Sequence, residues 1–347
     1  MKKLLLFICL FSVLIPLGYG QVPGRPVMAT PGQGVAGMNV DNVVEMELMT
    51  QVELADKVKN GWSVLVPAGG TEIRGPHAII GVHTILSSHR AIEAAKRLGK
   101  TIVAPTLPFA VAATGGFNAT QWKAFEEAGT LAPNPGAIQV SAETFKGIQQ
   151  GIVESLMYIG FKDIFLMGDH GGGQNEMRAV AEEMTAKFGA KGIRVHYVPD
   201  FYSKTHEDID MYMYNHKLPI AGHGGMMETA EMMYWEPTQY AFIRPIFKTV
   251  PFDGTRFEGD SLAADLQAWK ARKDAPQAPR GAGGGGGGAR GGAGNPGAPG
   301  AVAGPPRVNN ALSGNPHPAT KEIGKDLAEI GVANTVNQIK ALLAARK

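Results

Sequence analysis

Short, unbroken apolar runs alternate with helix-patterned stretches from about Asn42 to Lys270, and this alternation restricts the possible folds more than any other feature. Trp62-Ser63-Val64-Leu65-Val66-Pro67 reads as a strand, as do Thr101-Ile102-Val103-Ala104, Asp163-Ile164-Phe165-Leu166-Met167 and Ile193-Arg194-Val195-His196-Tyr197. A run without alternating polar residues has no face to give to water, so such strands are covered on both sides. Helical patterns fall between them, at about 85–98, 142–159 and 174–188. In the second, Phe145, Ile148, Ile152, Leu156 and Ile159 recur at three- and four-residue steps and form one stripe. Strands separated by helices make parallel neighbours, because a parallel pair needs a long crossover. The expectation is an α/β fold with a mostly parallel central sheet. Ile323, Leu327, Ile330, Val336, Ile339 and Leu343 fit a last amphipathic helix that packs back on the same domain.

The flanking segments divide the chain further. Residues 1–20 place Lys2 and Lys3 before an apolar run from Leu4 to Ile15, with Gly18-Tyr19-Gly20 ahead of Gln21. This is the layout of a secretory signal peptide, and the run is short against the roughly 20 residues of a membrane span. An exported chain, periplasmic or secreted, with no membrane anchor after cleavage is expected. Residues 21–42 read as a linker and 43–272 as the α/β domain. Residues 273–312 hold thirteen of the 46 glycines between Gly281 and Gly304; this reads as a disordered insertion, since glycine loses most entropy on folding and buries nothing. Residues 313–347 complete the domain.

Composition excludes several functions. The formal charge of +2 falls to about zero once Lys2 and Lys3 are removed, which leaves no basic surface for nucleic acid. The single cysteine, Cys9, lies in the leader. A cleaved chain therefore has no disulfide, no thiolate metal site and no cysteine nucleophile. There is no Gly-x-Ser-x-Gly elbow, no phosphate loop and no Gly-x-Gly-x-x-Gly spacing.

Three segments combine polar groups with glycine: Gly69-Gly70-Thr71-Glu72-Ile73-Arg74-Gly75-Pro76-His77, running on to His83; Gly168-Asp169-His170-Gly171-Gly172-Gly173; and Ala221-Gly222-His223-Gly224-Gly225-Met226-Met227-Glu228-Thr229. The first two directly follow expected strands. Sites in open α/β sheets form beyond the carboxyl ends of strands, so Glu72, His83 and His170 are candidates to converge on a metal.

These segments resemble the creatininase (creatinine amidohydrolase) family. The family loop Gly-Ser-Thr-Glu-Gln-His-Gly-Pro-His corresponds to residues 69–77, with His83 where the family has aspartate. Pro135-Gly136-Ala137 stands for Pro-Gly-Thr, residues 168–173 for Asn-Gly-His-Gly-Gly-Asn, and His223-Gly224-Gly225-Met226-Met227-Glu228-Thr229-Ala230 for His-Ala-Gly-x-x-Glu-Thr-Ser. Gly314-Asn315-Pro316, with Ala319-Thr320, matches a further pattern. The resemblance implies a three-layer sandwich and a metal-dependent hydrolase of non-peptide C–N bonds in a small-molecule substrate, often a cyclic amide. It also implies two divalent ions and a homo-oligomer, often a hexamer.

Carried over by position, one ion falls to Glu72, His83 and His170. The second loses ligands: Arg74 replaces a histidine, and Gly172 stands where creatininase has an acid. The expectation is one divalent ion, zinc first, with iron or manganese as the other fits. Arg74 then stands in for the second charge and meets a substrate carboxylate or developing oxyanion. By the same resemblance His223 transfers protons; Glu228 orients a ligand, binds metal weakly or acts as base, or else caps its helix. His77 and Asp169 join Arg74 on the substrate side, with a structural role the other option for His77. A non-catalytic binding protein and a lactonase are the alternative readings.

Overall fold

The computed structural model describes residues 43–111, 137–220, 222–251 and 314–345, together with 123, 126, 127, 266, 267, 269–271 and 312. The expected leader, the linker and all of the glycine-rich insertion except Leu312 lie outside the described residues, as does the Pro135-Gly136 pair.

Four parallel strands form the central sheet: β1 (Ser63–Ala68), β2 (Thr101–Val103), β5 (Asp163–Gly168) and β6 (Arg194–Tyr197), in the order β2-β1-β5-β6. A short parallel pair, β3 (Ala110–Val111) with β4 (Gln139–Val140), stands apart. Side chains alternate across β1 and β5, and both faces are buried. Val64, Val66, Ile164 and Leu166 point to one core and Leu65, Phe165 and Met167 to another, none of them exposed. The absence of polar alternates in the sequence has this cause.

Helices α3 (Ala142–Ile159) and α4 (Gln174–Phe188) cover the first face through Phe145, Val153, Leu156, Met177, Val180 and Met184. Leu54 and Val58 of α1 (Gln51–Lys59) pack at its edge. The second face is covered by α2 (Val82–Leu98), through Ala91, Ala94 and Ala95, and by α7 (Lys321–Ala344), through Val332, Val336 and Ile339. Helix, sheet, helix is the three-layer sandwich. Each large apolar side chain taken fully from water contributes about 1.5–3 kcal/mol, so the two cores hold the layers together. A third core joins α5 (Ser203–Asn215), α6 (Met226–Trp235) and the first turns of α2 and α7 through Ile209, Met213, Met226, Met232, Leu86 and Leu327.

Helix boundaries follow local chemistry. Thr50 and Glu53 form a reciprocal capping box on α1, Ser141 accepts the Thr144 N–H on α3, and Thr320 accepts the Ile323 N–H on α7. α3 stops at Gly160, whose φ of 119° suits a residue without Cβ. The sequence pattern starts α2 at about 85, three residues late, because His83 and Thr84 look polar; both are drawn in by the loop after β1. Among the described residues no helix is long and apolar enough to cross a membrane.

Candidate metal centre

Adjacent parallel strands end on the same side, so the loops after β1 and β5 emerge next to each other. Gly69 lets the first loop lie flat on the start of α2: a Cβ there would stand 2.4 Å from Thr84 Cα. That contact brings the first turn of α2, and His83 with it, over the strand ends. The Glu72 N–H donates to the Ile80 carbonyl at 2.8 Å and closes the loop. Gly70 leaves room for the His170 ring, 3.3 Å from where its Cβ would be.

Glu72, His83 and His170 meet as a result, with one potential ligand atom each and all three within 4.8 Å of one another. Glu72 Oε2 is 2.8 Å from His170 Nε2. The two imidazoles meet edge to face at 5.0 Å. His83 Nδ1 is 2.9 Å from Asp169 Oδ2. A carboxylate can only accept, so the ring proton sits on Nδ1 and the Nε2 lone pair faces the cluster. Backbone atoms of Gly172 hold the His170 ring at its Nδ1.

Arg74 reaches the same place and is 2% exposed. Its Nη2 donates to Glu72 Oε2 at 2.9 Å and abuts His83 Nε2. Its Nε lies 3.2 Å from Glu228 Oε2. Nε and Nη1 make no hydrogen bond. Gly224, with φ of 64°, is needed beneath it, since a Cβ would fall 2.5 Å from the Arg74 carbonyl oxygen.

The charges form a buried network. Behind His83, Asp169 takes Arg90 on Oδ1, and Arg90 grips Glu231 through Nη2 and Nε. Burial works against the Glu72 charge, but the His170 hydrogen bond and the Arg74 cation outweigh it and hold Glu72 well below the usual carboxylate range. Asp169 is held down in the same way by Arg90 and His83, and Glu228 by Arg74, each against burial. Burial, then the Arg74 cation, push His83 toward neutrality. Burial pushes Glu231 up, against the pull of Arg90.

Four carboxylates, of Glu72, Glu228, Asp169 and Glu231, thus face two guanidiniums, of Arg74 and Arg90. With Glu231 pushed toward its neutral form, the three carboxylates held ionised, of Glu72, Glu228 and Asp169, still outnumber the two guanidiniums in a largely buried region. Such an excess is costly without a counter-charge, and a bound cation relieves it. Two imidazoles and a carboxylate are a suitable donor set for zinc, iron or manganese. The residues therefore fit a divalent ion.

Several expected roles change. Asp169 is 1% exposed with both oxygens engaged, so it stands behind His83 and not on the substrate side. His77 is wholly buried, its Nε2 2.9 Å from Thr229 Oγ1, and it reaches no open surface. Glu228 is 4% exposed; it accepts the Gly224 N–H at 2.8 Å in the first turn of α6 and holds Arg74, which suits a capping and positioning role and not a base. Arg74 reaches into the cluster itself, with Nη2 against Glu72 Oε2 and His83 Nε2, and acts there as a fixed charge. His223 is the group facing water: its side chain is 56% exposed, with Nδ1 3.7 Å from Glu72 Oε1.

The second ion's missing acid is excluded by space. A Cβ on Gly172 would fall 2.2 Å from the Val111 carbonyl oxygen. Arg90, Ser87 and Glu231 were not singled out from the sequence. His83, Ser87 and Arg90 sit at four- and three-residue steps on one face of α2, a spacing that carries the signal.

A three-layer α/β sandwich with a two-histidine, one-carboxylate cluster at adjacent strand ends has the build of a metal-dependent hydrolase. The chain belongs to the creatininase family: the family's model, described as creatinine amidohydrolase, matches residues 47–339. Solved structures agree in fold. A crystal structure of creatinine amidohydrolase (creatininase) superposes with a TM-score of 0.58 at 17% identity, covering 86% of this chain and 96% of that one. A structure described as creatininase Mn gives 0.57 at 17% identity, covering 86% and 98%. A glutamate-to-glutamine creatininase variant described as Zn-Zn type gives 0.54 at 17% identity, with the same coverage. No protein in the curated set matches the sequence.

Proposed function

We propose that this chain is a creatininase-type amidohydrolase that works with a single divalent ion held by Glu72, His83 and His170, and opens a cyclic amide. The observation that carries the reading is the two-histidine, one-glutamate cluster itself, set among more ionised carboxylates than guanidiniums. Family membership and the manganese and zinc forms of its structural neighbours support a divalent metal.

When bound, the ion supplies Lewis acidity and lowers the pKa of a water molecule to near neutrality. The chain's own residues do the rest. Glu72 and His170 fix one edge of the site, and His83 presents Nε2 from the other. Arg74 holds a permanent positive charge against the cluster, paired to Glu72 and Glu228 and abutting His83. That charge favours oxyanion formation on the amide carbonyl as water adds. His223 stands at the exposed edge of the cluster. Placed at the open side, it takes the proton released by the attacking water and delivers it to the departing ring nitrogen. One amide C–N bond breaks, and the products are a carboxylate and an amine on one chain. The leader-like segment at residues 1–20 supports an exported site of action.

The test is metal analysis of the chain purified without chelator, followed by incubation with creatinine and with five- and six-membered lactams. About one ion per chain and release of amine are expected. Hydrolysis of lactones alone would move the reading to an ester bond. A chain that takes up no zinc, manganese or iron overturns the enzyme and leaves a binding protein on this fold.

A further inference from the structure

The proposed ligand His83 is backed by an unusually long buried chain of charges. Its Nδ1 meets Asp169 Oδ2 at 2.9 Å, Asp169 Oδ1 meets Arg90 Nη1, and Arg90 Nε donates to Glu231 Oε1 at 2.7 Å. Trp235 Nε1 closes the far end on Glu231 Oε1 at 3.3 Å. Arg90 and Glu231 have no exposed surface at all. The fold makes room for them. A Cβ on Gly331 of α7 would stand 2.9 Å from Arg90 Nε. Ser87 Oγ takes the Asp169 N–H at 3.0 Å and donates to the Ala68 carbonyl at 2.7 Å, which locks the carboxylate to the ends of β1 and β5.

Burying three charges is expensive, and a packed apolar cluster would serve stability as well. What the apolar version would not do is orient His83. The two positions where this chain departs from the family pattern in concert, 83 and 169, are the two in contact. The aspartate expected at 83 is a histidine here, and the glycine expected at 169 is an aspartate. The carboxylate has moved one step back, behind an imidazole.

We propose that Asp169, Arg90 and Glu231 are positioning residues of the metal centre: Arg90, gripped by Glu231, fixes the Asp169 carboxylate, which in turn holds His83 with its proton on Nδ1 and its Nε2 lone pair facing Glu72 and His170. A ligand histidine oriented by a carboxylate binds metal more tightly, and loss of such a partner typically weakens binding about 10–100-fold. The proposal rests on the metal reading for its purpose, while its geometric content is a tautomer that exists without metal.

Two variants test it in the full chain. In Asp169→Asn, Arg90 claims the amide oxygen, so the amide NH2 faces His83 Nδ1 as a donor while Arg74 Nη2 still donates toward Nε2, and the ring loses its single preferred tautomer. In Arg90→Met/Glu231→Met the outer pair is replaced by apolar side chains of similar length, a change that buried ion pairs tolerate. Ring-nitrogen NMR of 15N-histidine-labelled, metal-free protein reads the His83 tautomer, assigned with His83→Gln. Cobalt(II) affinity by chelator competition, with the visible cobalt spectrum, reads the site. Wild type is expected to show Nδ1–H at His83. Asp169→Asn and the double variant are each expected to show a mixture of tautomers, with cobalt affinity about 10–100-fold lower. A wild-type tautomer and wild-type cobalt affinity in Asp169→Asn would overturn the proposal. If the double variant fails to fold, Asp169→Asn decides alone, since there Arg90 keeps Glu231. Should wild type bind no cobalt yet show the expected tautomers, the metal reading fails and the positioning device stands.

Discussion

His77 is the group whose burial makes the firmest quantitative claim. It is wholly buried beneath α6, with Nε2 on Thr229 Oγ1, and its Nδ1 has no hydrogen-bond partner. Burial pushes its pKa down to about 4 from 6.5. The unfolded chain therefore takes up a proton at this residue below about 6.5, and the folded chain takes it up below about 4. Between those values the unfolded state binds more protons, so stability rises with pH in this window and falls as pH drops through it. At about 1.4 kcal/mol per pH unit the gap corresponds to roughly 3 kcal/mol as an upper limit. The assay is urea unfolding of metal-free protein from pH 7 to pH 4, for wild type and His77→Gln. Gln keeps an N–H donor for Thr229 but carries no titrating group. The variant is less stable throughout, and the informative quantity is slope. Wild type should lose about 2–3 kcal/mol more than His77→Gln over the window. Parallel curves would refute both the buried, neutral histidine and the structural role assigned to it.

Other predictions concern the site and the packing. Metal content is expected to be about one ion per chain and to vanish in Glu72→Ala, His83→Ala and His170→Ala, as read by elemental analysis. Gly172→Glu should fail to add a second ion and should lower the Tm, because its Cβ lands 2.2 Å from the Val111 carbonyl oxygen. Gly324→Val should unfold the protein or cost several kcal/mol, since α6 and α7 cross with only 1.9 Å between that Cβ position and the Ala230 carbonyl oxygen. Gly147→Ala and Gly151→Ala should each stabilise by about 0.5–1 kcal/mol in thermal melts, because both lie inside α3 with nothing within 4 Å. Phe165→Ala should cost about 3–5 kcal/mol by urea unfolding, from the cavity left between sheet and helices.

Much of the fold was legible because its signals are local. The continuous apolar runs at 63–68 and 163–168 are strands buried on both faces, and the stripe from Phe145 to Ile159 became α3 with its expected bounds. α1 and α5 escaped notice because their faces mix charge with apolar residues, and each gives only a few side chains to its core. In the site, Glu72, His83 and His170 stood out beside their glycines. Asp169 was read for the wrong side. Its neighbours in sequence are site residues, but its side chain runs back toward Arg90. His77 was drawn to the substrate side by its motif and burial decided otherwise, while for Glu228 the capping option is the one its contacts favour.

The sequence by itself determined the layered α/β architecture and the three glycine-bearing loops, because residue type and spacing suffice for each. Only the tertiary structure decided what those loops make together. Glu72, His83, His170 and Arg74 converge because β1 and β5 are neighbours and α2 begins against Gly69. Whether a carboxylate there is a ligand, a support or a counter-ion depends on which side chains from distant elements reach it, and on how little water remains around them.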